Sequence, residues 1–167
     1  MVVYLGLGSN LGDRKTEIAR AVEALARLGR VAARSALYET EPEGGADQPR
    51  YLNAVVRLET ELSAQALLQA CLEIERAQGR VRPADATKAP RTIDIDLLLY
   101  GAAVFDEPGL CLPHRSLLRR PFVRIPLADV ALPGLRHPVS GKALDTCAPD
   151  RTVRRLDQPA SSAGGTS

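Results

Sequence analysis

Arg91-Thr92-Ile93-Asp94-Ile95-Asp96-Leu97-Leu98-Leu99-Tyr100 is the stretch whose reading decides the fold. Its β-branched and other apolar residues, bounded by Pro90 and Gly101, predict a β-strand. Side chains alternate on a strand, so Asp94 and Asp96 share one face, while Ile93, Ile95 and Leu97 turn into a core. The two carboxylates lie about 6.6 Å apart along such a strand. Two anions this close on a half-buried surface repel each other and are costly to desolvate. Two arrangements answer that cost: a solvated face whose acids pair with arginines, or a divalent cation. Oxygen-only ligands favour Mg²⁺, which takes one or two carboxylates, several waters and substrate phosphates.

Working outward, the strand is preceded by a long basic loop, Arg80 to Pro90, and loops of that length in compact domains are often functional. Before it, Ser63 can cap a helix running to about Gln78, with Leu67, Cys71 and Ile74 buried and Gly79 as its stop. Tyr51 to Thr60 reads as a strand with two faces. Leu52, Ala54, Val56 and Leu58 form the apolar one; Tyr51, Asn53, Val55, Arg57 and Glu59 form the other. An aromatic beside an amide suits a flat hydrogen-bonding ligand, or simply solvent. Glu41 to Pro49 is a loop by composition. Val31 to Tyr38 is predicted as one strand. Arg14 to about Leu28 is predicted as a helix, with Ile18, Val22 and Leu25 on one face and Gly29 ending it. Val2 to Gly8 is the first strand. The order is β-α-β-β-α-β, which predicts an α+β, ferredoxin-like antiparallel sheet with helices on one face and a C-terminal extension. The other face is left for a site, and Asp94 and Asp96 would lie on it. Gly8 to Asp13 matches neither the P-loop nor the dinucleotide fingerprint.

Beyond Gly101, Ala103 to Phe105 and Leu110 to His114 read as short strands. Arg115 to Arg120 reads as a short helix. Phe122 to Val130 carries a helical pattern interrupted by Pro126, and Gly141 to Ala148 reads as a last helical turn. One domain is expected over residues 1–157, with a flexible tail at 158–167.

With 167 residues, 45% apolar and 25% charged, the chain has the composition of an ordinary soluble domain with a real core. A net charge of +2 argues against a general binder of nucleic acid. Nearly all the cations are arginines, whose planar fork suits phosphate. Cys71, Cys111 and Cys147 show neither zinc spacing nor a disulfide framework, so reduced thiols in a cytoplasmic protein are expected. The apolar N-terminus is too short for a membrane span and lacks the basic lead of a signal peptide.

Phosphate chemistry gathers in three segments: the acid strand, the basic loop with Arg80 and Arg82, and His114, Arg115, Arg119 and Arg120. Phosphoryl transfer needs positioning and charge neutralisation more than covalent help. An RNA-binding module of the same topology and a palm-type nucleotidyltransferase are the competing classes. Six aromatic residues with no run on one strand speak against RNA.

The chain resembles the 6-hydroxymethyl-7,8-dihydropterin pyrophosphokinase family of folate biosynthesis over residues 2 to 135. The resemblance rests on Gly8-Ser9-Asn10-Leu11-Gly12, Tyr38-Glu39-Thr40, Asp47-Gln48-Pro49, Tyr51-Leu52-Asn53-Ala54-Val55-Val56, Gln78-Gly79-Arg80-Val81-Arg82, Pro113-His114 and, most specifically, Pro90-Arg91-Thr92-Ile93-Asp94-Ile95-Asp96-Leu97-Leu98. It implies transfer of the pyrophosphate of ATP to the pterin's hydroxymethyl oxygen, with AMP leaving; a monomer is the expectation. It implies two Mg²⁺ ions on Asp94 and Asp96. The pterin pocket would map to Thr40, Pro42, Tyr51, Asn53 and Phe122, with the ring between Tyr51 and Phe122 and its edge on Asn53. ATP contacts would fall on Glu75, Arg80, Arg82, Arg91, His114 and Arg120, with Arg80 and Arg91 neutralising charge as the bond breaks. The loops Glu41–Arg50 and Arg80–Pro90 would close as lids. Three positions depart from the family pattern. Thr87-Lys88 stands where a basic residue and tryptophan are usual, Glu43 where an apolar residue is commoner, and Arg115 where tyrosine or proline is.

Overall fold

The computed structural model describes residues 1–40, 50–79 and 92–156. The elements run β1 (Val2–Ser9), α1 (Arg14–Leu25), β2 (Arg30–Arg34), β3 (Tyr38–Thr40), β4 (Tyr51–Glu59), α2 (Ala64–Ala77), β5 (Asp94–Tyr100), β6 (Phe105–Glu107), β7 (Leu110–Leu112), α3 (Pro121–Val130) and β8 (Val153–Arg155). The main sheet has the order β5-β1-β4-β3-β8, with β2 also on β4, and every pairing is antiparallel. This is the ferredoxin-like plan, with the second strand in two pieces and one strand added at the edge.

The break in the second strand has a local cause. The Ser35 hydroxyl accepts the Val55 N–H at 2.9 Å and donates to Ala36 O at 2.7 Å. A side chain thus takes a place that a backbone carbonyl would hold in an unbroken ladder. Helix starts follow the sequence closely. Asp13 caps α1 by accepting from Thr16 N–H at 3.2 Å, and Ser63 caps α2 by accepting from Ala66 N–H at 3.1 Å.

Two apolar layers flank the sheet. On one face, Ile18, Ala21 and Leu25 of α1 and Leu67 and Cys71 of α2 pack on Val3, Leu5, Leu7, Leu52, Val56, Leu58, Ile93, Ile95 and Leu97. On the other, Leu127 and Val130 of α3, with Leu117 and Leu144, cover Tyr4, Val55, Leu98 and Leu99. The C-terminal extension thus occupies part of the face left open by the repeat. Strict alternation in β5 stops after Leu97. The register on β1 shifts between Tyr4 and Leu5, a bulge that leaves Leu98 extra and sends both Leu98 and Leu99 to the second layer.

Two helix expectations fail and one is exceeded. Arg115 to Arg120 is a run of turns, closed by three-residue hydrogen bonds such as Leu117 N–H to His114 O at 3.1 Å. Gly141 to Ala148 is irregular: Ala143 bridges to Arg136, and Asp145 Oδ2 accepts from Gly134 N–H at 2.7 Å, holding the chain extended. Helix α3 runs on through buried Pro126. Proline there leaves the Phe122 carbonyl without its usual donor, and the burial of Leu127 and Val130 outweighs that loss.

Candidate active site

The site is laid out in rows across the sheet. Tyr38 pairs with Asn53, Asn53 with Gly8, and Gly8 with Asp94. The next row is Val55, Gly6 and Asp96. Cross-strand partners present their side chains on one face. Asn53 and Asp94 therefore stand on the same surface two strand spacings apart, about 10 Å, with only Gly8 between them. Gly8 puts no side chain between the amide and Asp94, while the Leu98 side chain packs over Gly6, 3.6 Å from where a Cβ would lie. A Cβ on Gly8 would lie 3.3 Å from Asn53 Oδ1 and 3.6 Å from Tyr51 Cδ1.

On the amide side, Asn53 is buried and its Nδ2 donates to Thr40 Oγ1 at 3.0 Å. The amide oxygen is thereby turned toward Gly8. Tyr51 is half-buried two residues before Asn53 on the same face. Phe122, also half-buried, sits in the first turn of α3, with the Arg120 guanidinium 5.5 Å above its ring, a cation–π contact. Helix α3 is fastened to β3 by Tyr38 Oη, which donates to Asp129 Oδ2 at 2.7 Å. Burial, and then that hydrogen bond, push the Tyr38 phenol up to about 12.

On the acid side, Asp94 and Asp96 are half-buried on one face of β5, as their spacing predicts. Glu75 of α2 is buried, and its Oε2 accepts the Ile95 N–H at 2.7 Å along the outer edge of the same strand. Cys71, one turn earlier, has its thiol pushed up to about 12, chiefly by burial and further by the charges of Glu75 and Asp96. It is a packing residue with an inert thiol. His114 anchors to β5 through its N–H, which donates to Leu98 O at 2.9 Å. Its Nδ1 accepts from Ser116 N–H at 3.1 Å, which assigns the ring proton to Nε2. Burial, then Arg120, lower its pKa against the opposing pull of Asp94, so the ring is a neutral donor at pH 7.

Beside the acid strand lies a cavity of about 760 Å³. Leu68, Leu97 and Leu110 give it apolar walls, and Asp96, His114 and Arg115 give it polar ones. Asp106, Glu107 and Ser116 add to the polar side, so about half the lining residues are polar, and the volume is enough for a nucleoside-sized ligand.

The acid pair fits Mg²⁺ by its chemistry. Both carboxylates face one way, each opposite a glycine of β1 that puts no side chain beside it. Among the described residues no group of three or more His, Cys, Asp or Glu gathers as a metal set. Phosphate oxygens and waters would have to complete the shell, which is the usual habit of Mg²⁺ with nucleotides.

Of the residues named from sequence, Thr40, Tyr51, Asn53, Phe122, Glu75, His114, Arg120, Asp94 and Asp96 fall on or around this face and its β5 edge. Pro42, Arg80, Arg82 and Arg91, and with them most of both loops, lie outside the described residues, as does the segment 157–167. Sequence reading missed two contributors, the glycine pair in β1 and Asp129; it placed the short strands near Phe105 and Leu110 but not their role as a wall of the cavity. The glycines had a signal, since Gly at alternate positions of an apolar strand marks close approach. Asp129 had none, because long-range docking brings it to Tyr38.

The family model for 7,8-dihydro-6-hydroxymethylpterin-pyrophosphokinase matches residues 4–132. The 2-amino-4-hydroxy-6-hydroxymethyldihydropteridine pyrophosphokinase of Methylorubrum extorquens is 51% identical over 130 residues, covering 77% of this chain and 81% of the relative. The protein of the same name from Pseudomonas aeruginosa is 47% identical over 138 residues, covering 81% and 83%. The crystal structure of Plasmodium falciparum HPPK-DHPS superposes with a TM-score of 0.67 at 16% identity, over 86% of this chain and 42% of that one. That likeness speaks to fold alone. The sequence matches speak to descent, and by them the chain belongs to the 7,8-dihydro-6-hydroxymethylpterin-pyrophosphokinase family.

Proposed function

We propose that the protein transfers the pyrophosphoryl group of ATP to 6-hydroxymethyl-7,8-dihydropterin, releasing AMP. The observation that carries this is the row Asn53–Gly8–Asp94. A ring-edge amide and a carboxylate pair share one face across a bare glycine, at about the span of a heterocycle plus one phosphoryl group. The matched relatives carry pyrophosphokinase names.

In this reading the pterin lies between Tyr51 and Phe122, where offset stacking favours a planar ring. Asn53, oriented by Thr40, pairs with its edge, and Pro42 closes that side. Adenosine occupies the cavity beside β5, with Glu75 fastened to the N–H of Ile95 in its wall and His114 Nε2–H turned to an anionic oxygen. Two Mg²⁺ held by Asp94 and Asp96 would draw the triphosphate to the strand and spread its charge. Arg82 and Arg120 hold the phosphates. Arg80 and Arg91 neutralise charge as the bond between the β-phosphorus and the α,β-bridging oxygen breaks and the pterin oxygen bonds that phosphorus. Holding both substrates in line supplies most of the acceleration.

A thermal-shift series tests this, with Mg²⁺ and a non-hydrolysable ATP analogue, with and without 6-hydroxymethylpterin, followed by an AMP-release assay. Pterin should stabilise only alongside nucleotide and Mg²⁺, and AMP should appear only with both substrates. Stabilisation by nucleotide alone, with no response to pterin, would point to nucleotidyl transfer instead.

A further inference from the structure

The family match ends at residue 132, yet the chain returns to the sheet afterwards. β8 pairs antiparallel with β3, setting Tyr38 against Arg155, Glu39 against Arg154 and Thr40 against Val153. Leu156 donates its N–H to Leu37 O at 2.9 Å, and its side chain packs on the helix-face core. β3 is three residues long and meets β4 through three residue pairs. So short a strand is weakly held by one ladder. β8 supplies the second.

Glu39, the middle residue of β3, gathers three guanidinium groups. Arg14 of α1 lies 2.8 Å away, Arg50 lies 3.9 Å away, and Arg154 of β8 makes a direct hydrogen bond. Arg14 also donates to Arg50 O at 2.9 Å. Glu39 is 11% exposed, so its carboxylate is shielded although the Arg154 side chain that meets it lies largely in solvent. Burial raises the carboxyl's pKa, but the hydrogen bonds from Arg14 and Arg154 outweigh it and hold it below the usual range. Glu39 turns to the helix face and its neighbour Thr40 to the site face. Thr40 is the residue that orients the Asn53 amide. The height and register of β3 therefore decide where that amide points.

We infer that β8, through the Glu39–Arg154 pair, positions Thr40 and Asn53 for the planar heterocycle, and so sets affinity for that ligand and not for the nucleotide. Glu39 and Arg154 are positioning residues on the far side of the sheet from the ligand. The inference rests on the functional reading above, because that reading names which ligand feels β8.

Calorimetry on the full chain tests it, titrating 6-hydroxymethylpterin with saturating Mg²⁺ and ATP analogue present, and titrating the analogue separately. Arg154→Ala and Glu39→Gln should each weaken pterin binding about fivefold, equivalent to about 1 kcal/mol, with analogue binding changed less than about twofold. Arg154→Lys should recover part of the loss. Unchanged pterin binding, or equal weakening of both ligands, would overturn the inference. Should Glu39→Gln fail to fold, Arg154→Ala carries the test, since that side chain is 64% exposed. A second readout needs no ligand: the Asn53 side-chain amide signals in an NMR spectrum should move in Arg154→Ala. Static signals would overturn the positioning role. Moved signals in a protein that never binds pterin would overturn the functional reading and leave the positioning role standing.

Discussion

Replacing Gly8 with valine separates the fold from the site. The added Cβ would lie 3.3 Å from Asn53 Oδ1, tight enough that the amide must give by a few tenths of an ångström. The two methyl groups then stand on the bare strip between Asn53 and Asp94. A misplaced methyl-sized group in a fitted pocket costs about 1–3 kcal/mol, or about 10–200-fold in discrimination. With two such groups, kcat/KM for the pterin should fall about 100-fold. Stability should hardly move. Backbone φ at Gly8 is not in the left-handed region, and a β-branched residue suits a strand, a gain of up to about 1 kcal/mol that offsets the crowding. Tm should stay within about 5 °C. The assay pairs calorimetric melting with steady-state AMP release at varied pterin. Pterin kcat/KM within about threefold of the unaltered protein, with the fold intact, would refute the idea that the glycine strip lies between the two substrates.

Other perturbations have distinct signatures. Asp96→Ala should cut turnover at least about 10²-fold, the scale of losing one preorganised electrostatic partner, while circular dichroism and Tm hold steady; unfolding would make the position structural. Asn53→Ala should weaken pterin binding without changing nucleotide affinity, which parallel titrations would show; equal losses would refute the division of the site. Gly29→Ala sets a Cβ 2.2 Å from Glu59 O, a backbone clash that should cost about 2 kcal/mol or more in urea unfolding. Tyr38 has its phenol pushed up to about 12, above its unfolded value of about 10. Its contribution is therefore fully present below about pH 10 and fades as pH rises toward 12. Denaturation measured from pH 8 to 11 should show this decline, and Tyr38→Phe should flatten it.

The local signals in the chain were strong where a residue's role depends on its neighbours in sequence. Asp13 and Ser63 cap helices because capping is a matter of residues three apart. The spacing Asp94-x-Asp96 set both acids on one face, because strand alternation needs no partner. The motifs around Gly8, Asn53 and Asp94 carried the family as well.

What local pattern could not supply came from docking. Nothing near Val31–Tyr38 announces that the Ser35 hydroxyl will take the Val55 N–H and split the strand, since the two residues meet only in the sheet. Nothing in the tail's composition announces β8, because an edge strand is defined by the neighbour it covers. Arg115–Arg120 and Gly141–Ala148 have helix-tolerant compositions, but hydrogen bonds to Ser116, Gly134 and Arg136 hold them otherwise. The sequence by itself determined the βαββαβ order, the starts of α1 and α2 and the acid pair, all set by interactions within a few residues. Only the tertiary structure decided the row Asn53–Gly8–Asp94, the cavity beside β5 and the Glu39 cluster, because each is made by side chains that sequence keeps far apart and the packed sheet brings within a few ångströms.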